Sequence, residues 1–244
     1  MHDQPPTKDL PPKYRHGEVT HLSLDTHNQA TEKALKHIEM FGQMFDEKIL
    51  SMNLEAPVIV FAGLAPVPLL YAAGVRLSTR QNQRVMDYNR FEQKWHMLDE
   101  LDDGERVTIT YPQRLIGTDI AFVLPFTINI AESQIPASLK DKIVWVRLDN
   151  TGPRTDAISS DEKLKSILRT VHDAIRNLRS RQGYEHVEKV HLFIGAQAST
   201  VFKLGTKYQP NAYPEICVYH FQGGGGRYTW GISIKDAQFR ILSM

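Results

Sequence analysis

The sequence predicts an α/β fold made of two similar halves, with mostly parallel sheets flanked by helices. The first observation is an internal repeat. In one copy an apolar strand ends at Gly63 and the apolar stretch after it closes at Gly74. In the other copy the same positions are Gly195 and Gly205. Two copies of a long unit predict like halves that face each other across a pseudo-twofold axis, with a cleft between them.

The second observation is that strands alternate with helices, as the first half illustrates. Residues 20–28 alternate polar and apolar side chains, which predicts a strand with one buried face. Residues 29–50 carry apolar side chains at helical spacing. The remaining elements predicted for this half are a strand over residues 58–61, a helix over 69–77 and strands over 84–88 and 94–98.

The second half repeats this order with one extra strand. Residues 119–130 open it with a buried-strand signal, and Ser160 is the predicted N-cap of a helix that runs to 182 and stops at Gly183. The other predicted elements are strands over 143–148, 190–194, 215–221 and 228–234 and a short helix over 200–204. Strands that alternate with helices imply parallel pairing, right-handed crossovers and helices on both faces of a sheet.

The predicted boundaries follow the repeat. Residues 1–17 form a proline-containing arm, residues 18–104 the first half and residues 105–244 the second half. The acidic run over 99–104 is the predicted connector between the halves, because its spacing is not that of a calcium-binding loop.

Composition excludes several classes of function. The net charge of +1 gives no reason to expect long nucleic acid as a partner, although it is compatible with a small anionic ligand. No apolar run approaches the roughly 20 residues that span a bilayer, and the N-terminus lacks the pattern of a signal peptide. The one cysteine, Cys217, lies among apolar residues, which predicts a buried thiol in a reducing compartment. We therefore expect a soluble cytoplasmic protein without membrane contact.

The sequence contains no catalytic motif of the zinc-protease, paired-cysteine, serine-hydrolase or P-loop kind. Four consecutive glycines, 223–226, lie between two predicted strands, so a hairpin is a better interpretation than a phosphate loop, which needs a following helix. We therefore predict no catalytic residue, no metal site and no cofactor.

Ligands of such sheets bind beyond the carboxyl ends of the strands. The loop from Gly195 to Thr200 leads into a helix whose free amides attract anions, and Ser199 and Thr200 add hydroxyl donors. Helix capping explains the same hydroxyls equally well. The equivalent loop of the first half, around Gly63 and Pro66, lacks them.

Two further repeated features point to the same cleft. The opening strand of each half ends in Thr-x-Asn, which either bonds the local backbone or contacts a ligand on the pseudo-axis. A tyrosine follows each closing glycine by fourteen residues, and its ring either packs in the core or stacks on a base. The predicted ligand-binding residues are Thr26, His27, Asn28, Gly63, Pro66, Tyr88, Arg90, Thr127, Asn129, Gly195, Gln197, Ser199, Thr200, Lys203 and Tyr219.

The second half resembles the SAVED domain, a family related to two fused CARF-type modules. The resemblance rests on the strand with His191 and Phe193, the closing Gly205 and the strand that ends in Tyr219, and it spans about residues 18–235. It implies Rossmann-like CARF-type halves. It also implies a sensor of a cyclic oligonucleotide second messenger, often a cyclic trinucleotide, in prokaryotic antiviral defence.

SAVED domains commonly sit beside an effector, and we expect no effector within this chain. We therefore expect a stand-alone sensor or regulatory subunit that controls a separate effector or assembles with itself. Three alternatives stay open. One is a metal-independent phosphodiesterase that degrades the messenger, with Thr26, His27 or Lys203 near the scissile phosphate. The others are a messenger scavenger and a protein-docking module, which Pro66 and Pro68 favour.

Overall fold

The computed structural model describes residues 7–15, 32–51, 58–78, 82–149, 152–223 and 226–243. The predicted opening strand of the first half, over 20–28, lies outside the described residues. Within the predicted arm, the structure describes two short 3-10 turns, Thr7–Asp9 and Pro12–Tyr14. Oδ2 of Asp9 accepts a hydrogen bond from the backbone N of Trp95 at 3.1 Å, so this part of the arm rests on the first half.

The first half contributes a small mixed sheet and two helices to the described structure. Its elements are α1 (Glu32–Ser51), β1 (Ile59–Phe61), α2 (Val67–Arg76), β2 (Gln83–Asn89) and β3 (Lys94–Met97). β2 is the middle strand, parallel to β1 and antiparallel to β3. Pro68 lies in the first turn of α2, where a missing N–H leaves no helical hydrogen bond unmade.

The second half is built on a seven-stranded sheet with the order β10-β9-β8-β7-β5-β6-β4. Its elements are β4 (Val107–Thr110), β5 (Asp119–Pro125), β6 (Ile143–Leu148), α3 (Asp161–Arg176), β7 (Lys189–Gly195), α4 (Ala198–Gly205), β8 (Glu215–Gln222), β9 (Arg227–Lys235) and β10 (Gln238–Ser243). None of the described helices combines the length and apolar composition needed to cross a lipid bilayer.

Alternate residues of the central strands face two different cores. On β5, Ile120 and Phe122 belong to the main core, which also contains the buried faces of α2, α3 and α4. Ala121 and Val123 belong to a second core, closed by Leu139 of a 3-10 segment on the other face. The central strands are continuous apolar runs because both of their faces are buried.

The predicted α/β class is confirmed, and the sheets are more mixed than expected. β5, β6, β7 and β8 pair in parallel, whereas β4, β9 and β10 add antiparallel pairs at the two edges. The sequence pattern does not predict β4 or β10, because a short edge strand depends on its neighbour more than on an apolar run of its own. α3 ends at Arg176, earlier than expected, and a 3-10 turn at Leu178–Ser180 follows it.

The two glycines that close the sequence repeat lie back to back where α2 crosses α4. A Cβ atom on Gly74 would lie 2.0 Å from the carbonyl oxygen of Phe202, and one on Gly205 would lie 2.1 Å from that of Tyr71. The ring of Phe61 stacks on that of Phe202 with centroids 3.8 Å apart. The repeat therefore marks the contact between the halves, because two helices approach this closely only where side chains are missing.

A buried ion cluster ties the connector between the halves to α3. Lys163 is 2% exposed and Glu105 5% exposed. Nζ of Lys163 lies 2.6 Å from Oε2 of Glu105 and 2.9 Å from Oδ2 of Asp103, and Arg154 contacts both carboxylates. The acidic connector is thus held in place at one end, since buried charges persist only when they are paired.

Asp103 makes this cluster sensitive to acid. The hydrogen bond from Lys163 holds the pKa of Asp103 below its ordinary value. Its stabilising effect is therefore present above the unfolded pKa of about 4 and is lost as the pH falls through the lower folded pKa. We expect Asp103→Asn to weaken the dependence of stability on pH below about 4, as measured by urea denaturation across that range. The exposed Asp156→Asn is the control, and an identical pH profile for the two variants would contradict the cluster's role.

Candidate ligand-binding site

The carboxyl ends of β5 and β7 meet where α4 begins. The backbone N of Thr127 donates to the carbonyl oxygen of Gly195 at 2.7 Å, and Oγ1 of Thr127 lies 3.3 Å from the same oxygen. A Cβ atom on Gly195 would lie 2.6 Å from the carbonyl oxygen of Ile128, so this strand end requires glycine. The structure therefore brings Thr127 and Gly195 together beside the loop that carries Gln197.

α2 and α4 begin at equivalent positions of the two copies. Pro66 is the N-cap of α2 and Gln197 the N-cap of α4, both in extended backbone, and neither side chain bonds its own helix. Nε2 of Gln197 donates instead to the carbonyl oxygen of Ile158 at 3.1 Å. The N-terminal amides of a helix carry partial positive charge, so the start of α4 favours a negatively charged partner.

An acidic side chain of the first half supplies one such partner. Oδ1 of Asp87 on β2 accepts from the backbone N of Ser199 at 3.1 Å, and Oδ2 accepts from Oγ of Ser199 at 2.5 Å. Ser199 and Thr200 are both fully buried. The sequence predicted that their hydroxyls face a ligand. In the structure Ser199 bonds Asp87 and Thr200 lies inside the protein, because the start of α4 packs against the first half.

The contact between Asp87 and Ser199 has a predictable dependence on pH. Burial raises the pKa of Asp87, and the two hydrogen bonds from Ser199 offset only part of that rise. A raised folded pKa means that this carboxyl stabilises the fold most below a pH of about 4, and that the contribution is lost as the pH rises through the folded pKa. We expect Asp87→Asn, which keeps a hydrogen-bond acceptor for Ser199, to remove this decline.

Asp87→Ala is the matched variant that deletes the acceptor. It leaves the N–H and hydroxyl of the buried Ser199 without this partner, and we expect a loss of about 1–3 kcal/mol in the free energy of unfolding. Urea denaturation of both variants measures the difference. If Asp87→Ala proves as stable as Asp87→Asn at neutral pH, the link between the halves contributes nothing.

Lys203 lies closer to the C-terminal end of α4 than the other predicted residues of this helix. It occupies the last turn, and it lines an open groove together with Lys165 and Lys207. Burial lowers the pKa of Lys203, and the neighbouring Lys207 lowers it further. The structure therefore separates Lys203 from Gln197 by six residues of helix, or about 9 Å along its axis.

Other predicted residues lie at the strand ends of each half. Tyr88 ends β2 and packs against Trp95, with ring centroids 5.4 Å apart, and Arg90 is exposed in the turn that follows. β2 runs parallel to β1, so these residues lie at the same sheet edge as Gly63. Asn129 is exposed beyond the end of β5. These positions are suited to the rim of a cleft.

Tyr219 does not lie at the strand end that the sequence predicts. It occupies the middle of β8 and is buried in the second core, on the face of the sheet opposite α4. Its hydroxyl lies 2.7 Å from Nδ1 of His191, whose Nε2 is 3.5 Å from Oδ2 of Asp119. The two tyrosines have different cross-strand neighbours: Tyr88 pairs with Trp95, whereas Tyr219 pairs with Gly231.

Two polar residues, Asp87 and His191, are not among the binding residues that the sequence predicts. Asp87 is the acidic residue within the strand over 83–89, and an acid in a half-buried strand is the signal that a partner must exist. His191 alternates with apolar residues of β7, and burial lowers its pKa although Asp119 opposes that effect. Its neutral imidazole suits a bond to Tyr219 within the second core.

The predicted contacts Thr26, His27 and Asn28 fall outside the described residues, so their part in the site stays a prediction. Within the ranges that the structure covers, no group of three or more histidine, cysteine, aspartate or glutamate side chains is placed to hold a metal ion. The described residues of the candidate site instead lie at strand ends and helix starts and include several polar side chains.

Comparison with protein families identifies this arrangement. The family model SAVED, described as the SMODS-associated and fused to various effectors sensor domain, matches residues 41–234. The chain belongs to the SAVED family. The match confirms the resemblance, which the sequence predicts over about residues 18–235, across residues 41–234.

Solved SAVED structures share the fold. The Acinetobacter baumannii Cap4 SAVED/CARF-domain containing receptor with the cyclic trinucleotide 3'3'3'-cAAA has a TM-score of 0.59 and 17% identity, over 83% of this chain and 44% of that chain. The same receptor with 2'3'3'-cAAA gives 0.56 and 15%, over 83% and 43%. The Moraxella osloensis Cap4 SAVED/CARF-domain containing receptor gives 0.52 and 15%, over 89% and 43%. The chain thus spans less than half the length of these receptors. A search of curated proteins finds no significant match.

Proposed function

We propose that this SAVED domain binds a cyclic oligonucleotide second messenger, in particular a cyclic trinucleotide, at the strand ends between its two halves. The observation that carries the proposal is the start of α4, where the ends of β5 and β7 converge with Asp87 of the first half. Two structures of a similar receptor contain a cyclic trinucleotide, which supports this class of ligand.

The proposed contacts follow from the chemistry of a ring of nucleotides. Phosphates face the loop from Gly195 to Gln197, and the exposed Arg90 pairs with a phosphate, since guanidinium groups bind phosphates strongly. Tyr88 stacks beside a base. Gly63, Pro66, Thr127 and Asn129 line the cleft, and Thr26, His27 and Asn28 complete its floor. Ser199 acts indirectly, by holding the start of α4 against Asp87.

Calorimetric titration with the 3'3'3' and 2'3'3' cyclic tri-adenylates and with cyclic di-adenylate tests the proposal. We expect Gln197→Glu to weaken cyclic trinucleotide binding by more than about tenfold, because a like charge meets the phosphates. An acidic residue is favourable at a helix start, but this one also loses the donor to the carbonyl oxygen of Ile158, so thermal unfolding verifies that the variant is folded. Gln113→Glu, exposed in the loop before β5, is the matched control. The proposal fails if no cyclic oligonucleotide binds.

The recovered ligand separates a sensor from an enzyme. We expect the cyclic trinucleotide to remain intact after prolonged incubation with the protein, as chromatography of the mixture shows. A linear product would instead assign a phosphodiesterase activity to the domain.

We propose further that the bound state is passed to a separate effector or to a second copy of the chain, in antiviral defence. The contact of Asp87 with Ser199 joins the two halves beside the proposed ligand site. A ligand bound there therefore acts on both halves. It shifts their arrangement only by its differential affinity for the two states. Light scattering with and without cyclic tri-adenylate distinguishes the two routes, since only self-assembly raises the mass.

A further inference from the structure

A groove of about 1040 Å³ runs along α3, away from the strand ends where the cyclic ligand is proposed. One wall is α3, from Asp161 to His172. The other consists of the start of β2, the last turn of α4 and the loop over 206–212. Eleven residues of helix separate Asp161 from His172, which corresponds to a length of about 16 Å.

The groove concentrates positive charge. Five cations line it, namely Arg84, Lys165, Arg169, Lys203 and Lys207, against the carboxylate of Asp161. Asp161 binds two of these cations: its Oδ2 lies 2.9 Å from NH1 of Arg84 and 2.6 Å from Nζ of Lys165. In the part of the chain that the structure describes, Arg169, Lys203 and Lys207 have no carboxylate partner. The whole chain carries a net charge of only +1, so this local excess is pronounced.

The pKa of Lys203 reflects this excess of positive charge. Its side chain is half-buried, and burial lowers its pKa, as do the charges of Lys207, Arg84 and Lys165, with Asp161 opposing them. Cations held together in this way repel one another, and a bound polyanion removes the repulsion.

The groove also offers groups that match nucleobases. The amides of Asn82, Gln83, Gln209 and Asn211 line it too, and each amide both donates and accepts. Oε1 of Gln83 is buried without a hydrogen-bond partner among the described residues, whereas its Nε2 donates to the carbonyl oxygen of Leu77.

We infer that the groove along α3 binds a linear single-stranded oligonucleotide, with phosphates on the lysines and arginines and bases against the amide side chains that line it. The site is distinct from the strand-end cleft, from which α4 separates it.

Fluorescence anisotropy with a labelled linear hexa-adenylate tests the inference on the full chain. We expect the combination Lys203→Met and Lys207→Gln to weaken binding by about tenfold and to reduce the salt dependence by about 0.7 for each lysine removed. Lys94→Met combined with Arg114→Gln removes the same charge from exposed positions outside the groove and should leave binding unchanged. Methionine keeps the apolar stem of the half-buried Lys203, and thermal unfolding verifies that each variant is folded.

Two further measurements test the specificity of binding to the groove. Unlabelled octa-glutamate should compete much less well than unlabelled hexa-adenylate; equal competition would assign the groove to acidic peptides and overturn the inference. Gln197→Glu should leave hexa-adenylate binding unchanged, so that failure of the cyclic-ligand proposal and failure of the groove are distinguishable. Absence of hexa-adenylate binding, or equal losses in the groove variant and its charge-matched control, would also overturn it.

Discussion

Replacing Gly205 with alanine is expected to destabilise the folded protein by about 1–3 kcal/mol or more. The added Cβ atom would lie 2.1 Å from the carbonyl oxygen of Tyr71 and 3.1 Å from Cα of Gly74. Both neighbours are backbone atoms, so no side chain can rotate away to make room. The two helices can respond only by separating, which loosens the main core on both sides of the crossing. Gly74→Ala should act in the same way.

Chemical denaturation followed by circular dichroism measures this effect, with Gly152→Ala as the matched control. Gly152 is exposed, and a Cβ atom there would meet nothing within 4 Å. Cyclic trinucleotide affinity should also fall in the Gly205 variant, because the proposed cleft depends on how the halves meet. A Gly205 variant as stable as the control would show that α2 and α4 do not cross this closely.

Glu105→Ala should cost about 3–5 kcal/mol, the range observed when one partner of a buried ion pair is removed. The substitution leaves the ammonium of Lys163 buried, with only the half-exposed Asp103 beside it. It also takes a carboxylate partner from Arg154, whose NH2 lies 2.9 Å from Oε2 of Glu105. Uncompensated burial of a charge, and not the loss of the attraction itself, dominates this cost.

Two comparisons test that explanation. Glu100→Ala changes an exposed acid of the same connector and should alter stability by less than about 0.5 kcal/mol. Glu105→Leu combined with Lys163→Met removes both buried charges and should recover most of the stability lost in Glu105→Ala. If the double variant is as unstable as the single one, desolvation of Lys163 is not the cause.

Most elements of the fold follow from local patterns. The apolar runs at β5 and β7, the helical spacing in α1 and the N-cap Ser160 all predict elements that the structure contains. The edge strands β4 and β10 do not follow from such patterns, because each is stabilised by the strand beside it. The mixed character of the sheets depends on those edges, and so was not predicted.

The candidate site was likewise predictable only in part. The strand-end rule correctly brings Thr127 next to Gly195, because parallel strands present their carboxyl ends at one edge. The side-chain contacts of Ser199 and Tyr219 could not be predicted, since each depends on a partner remote in sequence. Ser199 bonds an aspartate 112 residues away, and Tyr219 turns toward His191 in the second core.

The sequence by itself determined the α/β class, and it predicts the two-copy organisation and the edge of the sheet where a ligand is expected, because periodicity and glycine spacing are local and repeat along the chain. Only the tertiary structure decided that the repeated glycines are the contact between helices, that Asp87 joins the halves, and that five dispersed cations line one groove. These features arise where segments distant in sequence pack together, and the free energy of that packing belongs to the pair of surfaces, not to either segment alone.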